Sequence, residues 1–397
     1  MAGATDGTYL WALKDIPIVT MGAGEREVPH QMNELGRLGP AHGNGQDIRP
    51  CGVILSVSRR PFIMEKLLEI DNLSVRFHTP EGVARAVDGV SFDLARYEIL
   101  GLVGESGCGK TVTALSILGL ISSPPGRIRA DRILFESRNL LDIDAEDLRQ
   151  VRGQEISMIF QEPLTSLNPV LSIGQQVAEP LMVHKGVTKR EAYEEAALWL
   201  EHVKIPAARE RLNDYPHQLS GGMRQRVMIA MAMVCRPKLL IADEPTTALD
   251  VIIQSQILSL IVELKEELGM SVLLITHDLG VIAQMASRVV IMYAGEVVEE
   301  AGVMDIFDRP FHPYTQGLLK AMPRLGDRVG KRAGRLNDIA GTVPPLTKVI
   351  PGCKFADRCP HMFTLCKEKP PGLFALSDGQ HARCWLTDYP ERRNVHV

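Results

Sequence analysis

Long apolar runs are missing from this sequence. The longest stretches without a formal charge, Thr111 to Gly126 and Pro163 to Ala178, are 16 residues each. Both are interrupted by Pro, Gly, Ser or Thr, whereas a helix that crosses a bilayer needs roughly 20 apolar residues. Lys14, Asp15, Glu25, Arg26 and Glu27 break up the N-terminal stretch, so no secretory leader is visible. A basic excess is missing too: 44 Lys and Arg stand against 48 Asp and Glu, a formal net charge of −4, which argues against a dedicated duplex-DNA binder. There is no internal repeat, and none of the 7 cysteines forms a CxxC pair, the usual mark of a zinc ribbon. The expectation is a soluble, intracellular protein.

What is there has the balance of a folded chain. Hydrophobic residues make up 45% and charged residues 23% of 397, ordinary values for a globular protein, and the length suggests two or three domains. Residues 1–63 are rich in Gly and polar residues and show no sustained period of 2 or 3.6. They read as a disordered leader or a mis-annotated start, with Met64 as a candidate start codon. From 64 to 302 short apolar runs (Ile99 to Val103, Leu239 to Ala242, Val272 to Ile275, Val289 to Tyr293) alternate with longer helical patterns, which predicts an α/β fold with a largely parallel sheet. From 303 to 397 prolines such as Pro310, Pro313, Pro344, Pro345 and Pro351 break regular elements repeatedly, predicting a small, loop-rich, cysteine-containing C-terminal domain.

The strongest chemical signal is Gly104-Glu105-Ser106-Gly107-Cys108-Gly109-Lys110-Thr111, between the apolar run Ile99 to Val103 and the helical run Thr113 to Leu120. It fits G-x-x-x-x-G-K-[ST] in a strand-loop-helix context. Glycines let backbone N–H groups converge on phosphate oxygens, the helix N-terminus adds partial positive charge, and Lys110 would neutralise β- and γ-phosphates. Thr111 would ligate Mg²⁺. A second signal is Leu239 to Ala242 followed by Asp243 and Glu244: a strand end where one carboxylate can hold the Mg²⁺ shell and the next can polarise an attacking water. A third is Ser220-Gly221-Gly222 opening a helical run, a further anion site with Ser220 as N-cap. One triphosphate does not need two such cradles from one subunit.

These motifs, with Gln161 after an apolar strand, Ala248-Leu249-Asp250, and His277 in Ile275-Thr276-His277-Asp278, resemble the ATP-binding subunits of ABC transporters over nearly all of residues 65 to 385. Met223, where the commonest signature has Gln, and Thr247, where Ser is usual, are mild departures. The resemblance implies an ABC-type P-loop domain, a RecA-like core plus a helical subdomain at about 162–235. It implies ATP at Gly104, Ser106, Gly107, Cys108, Gly109, Lys110, Thr111 and Thr113, and Mg²⁺ at Thr111, Gln161 and Asp243. Catalytic roles fall to Glu244 as general base, His277 at the γ-phosphate, Lys110 and Gln161. Ser220, Gly221, Gly222 and Asp250 would face a partner subunit's ATP, since such cassettes dimerise head to tail. Phe77 stands where an aromatic stacks on adenine, a core strand phenylalanine being the alternative.

Glu162 to Pro169, Arg309 to Thr315 and Gly352 to Pro360 are similar to segments of dipeptide and oligopeptide importer ATPases. Cys353, Cys359, Cys366 and Cys384 are spaced C-x5-C-x6-C-x17-C. That spacing alone suits Zn²⁺ or a [4Fe-4S] cluster, with His361 and His381 as substitutes, or free thiols; the resemblance implies the cluster. It also implies ATP-driven peptide import, nickel or another small solute being the alternative cargo. The partners would be a second, paralogous ATPase, two transmembrane permease subunits and an extracytoplasmic binding protein, with no nucleic acid, at the cytoplasmic face of the inner membrane as a peripheral protein. Coiled-coil ABC ATPases of chromosome maintenance do not fit, because Gln161 and Ser220 are only 59 positions apart.

Overall fold

Two patterns of side-chain alternation generate two sheets. A computed structural model describes residues 65–161, 166–247, 249–322, 339–376 and 379–394; the expected leader, Cys51, Ala248 and the stretch 162–165 lie outside them. The first described elements are β1 (Lys66–Thr79) and β2 (Gly82–Ala95), a long antiparallel pair. Leu67 to Ile70 and Leu73 to Phe77 are two apolar segments of this one strand, β1. Asn72 between them has φ 53° and interrupts the register as a bulge, with its N–H bonded to Ser91 Oγ at 2.8 Å.

After β3 (Ile99–Val103) come β4 (Gly126–Arg129), β5 (Arg132–Phe135) and β6 (Arg138–Asn139), of which β4 and β5 pair with β1. This antiparallel sheet is an addition to the largely parallel fold expected from sequence. Its short, mixed strands lack the strong apolar runs that mark the other sheet.

The second sheet holds β7 (Ile156–Ile159), β8 (Leu239–Asp243), β9 (Ser271–Thr276), β10 (Arg288–Tyr293) and β11 (Glu296–Gly302), ending in the two-residue strands β12 (Phe374–Ala375) and β13 (His381–Ala382). The order is β12-β13-β11-β10-β3-β9-β8-β7, with the five from β10 to β7 parallel. The parallel strands are continuously apolar because both faces are covered. In β3, Leu100 and Leu102 join the core under the antiparallel sheet, while Ile99 and Val103 join the core under the helices. The same alternation separates Leu239 and Ile241 from Leu240 and Ala242 in β8, and Leu273 and Ile275 from Val272 and Leu274 in β9.

The helices are α1 (Lys110–Ile117), α2 (Ala145–Gln154), α3 (Ile173–Lys185), α4 (Lys189–His202), α5 (Ala208–Arg211), α6 (Gly221–Met233), α7 (Val251–Leu268), α8 (Leu279–Met285), α9 (Val303–Asp308), α10 (Pro313–Ala321) and α11 (Thr364–Glu368). Four of them, α3 to α6, lie between β7 and β8. Capping boxes at Ser172/Gln175 and Thr188/Glu191 start α3 and α4, and Val177, Leu181, Ala196, Leu200, Val227 and Met228 share one core with the sheet.

The Pro-rich tail is stitched to the rest. Strand β13 pairs with β11, Tyr314 and Phe355 are buried in the main core, and Lys354 pairs with Asp88 at 2.9 Å and Glu296 at 3.2 Å. Buried Glu299 on β11 accepts the N–H groups of Phe311 (2.7 Å) and His312 (2.8 Å) and a Gln380 amide N–H (2.6 Å). His312 accepts the Tyr314 N–H on Nδ1 at 3.0 Å and bonds the Arg383 backbone from its other side, an arrangement that needs a neutral ring. Burial pushes its pKa down to about 3.

A base whose folded pKa is depressed stabilises the fold above its unfolded value, about 6.5, and loses that contribution as pH falls toward the folded value. Thermal or urea unfolding should therefore show a loss of roughly 2 kcal/mol between pH 6.5 and pH 5 that His312→Asn lacks. Burial raises the Glu299 pKa, giving an opposite contribution in both proteins, so the difference isolates the ring. Parallel pH profiles would refute the assignment.

Candidate functional site

Parallel pairing brings the carboxyl ends of four strands to one edge. Val103 is in register with Thr276, Asp243 with Ile275, and Ile159 with Ala242. The residues that follow, Gly104, His277, Glu244 and Gln161, therefore emerge side by side, and the loop after β3 lies between its neighbours β9 and β10 where the strand order reverses, the usual ligand crevice of such sheets.

Three glycines of the 104–111 loop have distinct physical causes. A Cβ on Gly104 would collide with Met292 O and Cys108 Sγ, and one on Gly109 (φ 103°) with Ala86 O. Gly107 (φ 79°) faces open space. Two glycines thus let the loop lie against β2 and β10, and the third leaves an open concavity. Gly109 caps α1, whose first turn carries no acidic side chain, so its N–H groups and dipole favour an anion. Lys110 Nζ donates to Gly104 O at 2.7 Å and Glu105 O at 3.2 Å. Thr113 is fully buried with its hydroxyl on Gly109 O at 3.0 Å, a brace for the helix start rather than a face of the concavity. The Cys108 side chain is buried too, and burial raises its pKa.

Asp243 ends β8 in the interior. Its pKa is raised by burial and by the Glu244 charge, against a hydrogen bond with Thr111. Among the described residues its Oδ1 has no partner. An orphaned buried carboxylate oxygen beside a threonine hydroxyl fits a divalent cation such as Mg²⁺.

Glu244 follows with φ 46°, a conformation non-glycine residues rarely adopt and that costs about 1–2 kcal/mol. Its N–H bonds Ile275 O at 2.8 Å, fixing the strain. The turn aims the carboxylate where three side chains meet it: Gln161 Nε2 at 3.1 Å and Thr247 Oγ1 at 2.9 Å on Oε2, and His277 Nδ1 at 3.1 Å on Oε1. Burial alone would raise its pKa, but the hydrogen bonds with His277 and Thr247 and the charge of Lys110 outweigh it, so the carboxyl stays ionised at neutral pH. The arrangement can orient a water against a group bound at the loop. Thr247 was noted in the sequence only as a departure from the usual Ser; its hydroxyl carries the bond that residue type supplies.

The other expected residues sit apart. Ser220 caps α6 and accepts the Met223 N–H at 3.4 Å, while Asp250 caps α7 and accepts the Ile253 N–H at 2.9 Å. A Cβ on Gly222 would meet Ile253 Cγ2 at 2.9 Å, so the two helix starts are neighbours. Among the described residues no hydrogen bond joins this pair to the 104–111 loop or to Glu244. Phe77 is half-buried, paired with Ala84 and Gly126 across the antiparallel sheet.

The four tail cysteines share one neighbourhood. Cys353 N–H bonds Cys366 O at 2.7 Å, and Gly352 has no room for a side chain against the same carbonyl. Burial first, and then the negative charges of the other thiols, push Cys353 and Cys359 up to about 12 and Cys384 to about 11. Cys384 is buried and Cys353, Cys359 and Cys366 are partly exposed. Among the described residues no three His, Cys, Asp or Glu side chains already stand in ligating geometry.

Comparison with known proteins agrees with this geometry. Residues 87–247 match the family described as ABC transporter, and residues 298–366 match the oligopeptide/dipeptide transporter C-terminal region. The chain is 50% identical over 325 residues to the dipeptide transport ATP-binding protein DppD of Bacillus subtilis, covering 82% of this chain and 96% of that one. It is 48% identical over 319 residues to the oligopeptide transport ATP-binding protein OppD of Salmonella typhimurium, covering 80% and 93%. The solved dimeric post-hydrolysis structure of the ATP-binding cassette MJ0796 with ADP and Pi aligns at TM-score 0.53 and 28% identity, covering 59% of this chain and 98% of that one.

The loop geometry predicts unequal glycines. Gly107→Ala should cost about 1–2 kcal/mol of unfolding free energy from positive φ alone, whereas Gly109→Ala adds a collision with Ala86 O and should cost about 3 kcal/mol or more. Equal losses in denaturant titrations would contradict the packing argument.

Proposed function

Since the chain belongs to the ATP-binding subunits of ABC transporters, in the dipeptide and oligopeptide importer group, we propose that it hydrolyses ATP to drive import of peptides. The relatives named for peptides favour that cargo over nickel. The observation that carries the catalytic reading is the convergence of Gln161, Thr247 and His277 on a strained, ionised Glu244.

In this reading the N–H groups of the 104–111 loop and Lys110 bind the phosphates, and Phe77 packs on the adenine. Glu244 accepts a proton from water held between itself and His277, and Gln161 reports the γ-phosphate to the rest of the chain. Thr111 and Asp243, with Gln161, would hold Mg²⁺, which when bound neutralises the developing phosphate charge. The exposed turn at Ser220, Gly221 and Gly222, with Asp250 beside it, is left to meet ATP on a second subunit; a paralogue is the partner we favour.

No helix among the described residues is long and apolar enough to cross a membrane. The transport-subunit relatives support a reading in which permease subunits and a binding protein are the partners and this chain is peripheral at the cytoplasmic face. A cavity of about 340 Å³ lined by Met158, Phe160, Pro180, Met228 and Met231 opens next to Gln161 at the end of β7. It supports docking of a permease helix whose position then follows the Gln161 contact.

The tail cysteines Cys353, Cys359, Cys366 and Cys384 are read as ligands of a [4Fe-4S] cluster, a structural or electron-holding group outside the hydrolytic steps.

In the assembled transporter, Glu244→Gln should retain ATP binding and lower turnover by ~10²- to 10⁴-fold; near-normal hydrolysis would sink the assignment. Anaerobically purified full-length chain should be brown and absorb near ~400 nm, with loss of the band in Cys359→Ser. A colourless preparation with stoichiometric zinc would overturn the cluster.

A further inference from the structure

We propose that Arg358 and Tyr314, both in the C-terminal extension, are positioning residues of the phosphate loop that act through Glu105. Glu105 is the second residue of the 104–111 loop, and all of its polar groups are engaged. Its N–H donates to the Tyr314 hydroxyl at 2.9 Å. Its carboxylate takes a two-pronged ion pair from Arg358, 2.8 Å to Nη1 and 3.1 Å to Nη2. Its carbonyl accepts the Cys108 N–H at 3.2 Å and Lys110 Nζ at 3.2 Å. The extension thus grips Glu105 by its N–H and side chain, while the carbonyl of the same residue holds the loop's turn and its lysine.

The grip is rigid at its far end. The Arg358 side chain is only 6% exposed. Its remaining donors go to Ile339 O at 3.1 Å, Ala340 O at 3.0 Å and the Tyr293 hydroxyl at 3.4 Å, and it lies over the rings of Tyr293 (5.7 Å) and Phe355 (5.9 Å). Tyr314 is fully buried and packs on Tyr293 and Phe355 with centroids 4.8 and 5.5 Å apart. A planar guanidinium forked onto a carboxylate fixes orientation as well as distance, which lysine cannot reproduce. Cys359 is the next residue after Arg358, so the cysteine-bearing turn and the phosphate loop are joined through one side chain. Neither Arg358 nor Tyr314 belongs to the motifs that bind nucleotide.

The test uses full-length chain in the assembled transporter. Arg358→Gln and Glu105→Gln should each raise the KM and Kd for ATP about tenfold, with kcat at saturating ATP within about threefold, since a misplaced loop costs ground-state and transition-state binding alike. Tyr314→Phe deletes one hydroxyl and keeps the ring; it should raise both constants about threefold. Arg358→Lys should recover less than half of the Arg358→Gln loss. The Glu105→Gln, Arg358→Gln double variant should bind ATP no worse than either single variant, because both break the same link. If Arg358→Gln fails to fold, Tyr314→Phe and Glu105→Gln decide. Unchanged KM and Kd in folded variants, with only the melting temperature lowered, would reduce the contact to a structural brace and overturn the proposal, as would additive losses in the double variant.

Discussion

Burial of both faces of the parallel strands is the constraint on which the rest of the molecule depends. β7, β8, β9, β3 and β10 are covered on one side by the helices from α3 onward and on the other by the antiparallel sheet with α1 and α2. Polar chemistry has no place along these strands and is pushed to their ends. Because the strands are parallel and in register, the carboxyl ends come out together, and four separate segments deliver Gly104, Gln161, Glu244 and His277 to one edge. Loop glycines then decide how closely the first segment can approach the others: at Gly104 and Gly109 there is room only for hydrogen.

Glu244 shows how that edge sets the chemistry. A carboxylate at a strand end would ordinarily point along the strand's own alternation. The strand stops at Asp243 and the positive φ turns the chain at Glu244: Asp243 stays inside with its pKa raised, and Glu244 meets Gln161, Thr247 and His277 with its pKa lowered. One strand end therefore offers a buried oxygen suited to a cation and an ionised carboxylate suited to water. The strain is held by the Glu244 N–H to Ile275 O bond and by side chains from three different strand ends, so it rests on the sheet's register.

Much of this was legible in the sequence, for identifiable reasons. Ile99 to Val103 is a strand in both readings because an uninterrupted apolar run between charged residues has few other places to go, and the phosphate loop announces itself by glycine spacing. The antiparallel sheet was harder to see: β4 to β6 are two to four residues long, and the bulge at Asn72 interrupts β1. The resemblance implies ATP at Thr113 as well, whereas in the fold its side chain lies fully buried in the first turn of α1. Glu105 was invisible as a functional position, since any residue satisfies x in the motif. Its partners lie more than 200 positions away, and only the fold brings them together.

The tail shows the same long-range logic at larger scale. Prolines and short turns make it look like an appendage, and little regular structure runs through it. Its attachment is nevertheless made by buried polar and aromatic groups: Glu299 gathers Phe311, His312 and Gln380, and Tyr293, Tyr314 and Phe355 form one ring cluster. Such a junction is costly to leave half-made, because each unpaired member would lose its hydrogen bonds in a dry interior. A loop-rich segment held this way moves with the sheet to which it is fastened. That is the condition under which its arginine can hold the phosphate loop in one position, and a freely tethered tail of the same composition would not meet it.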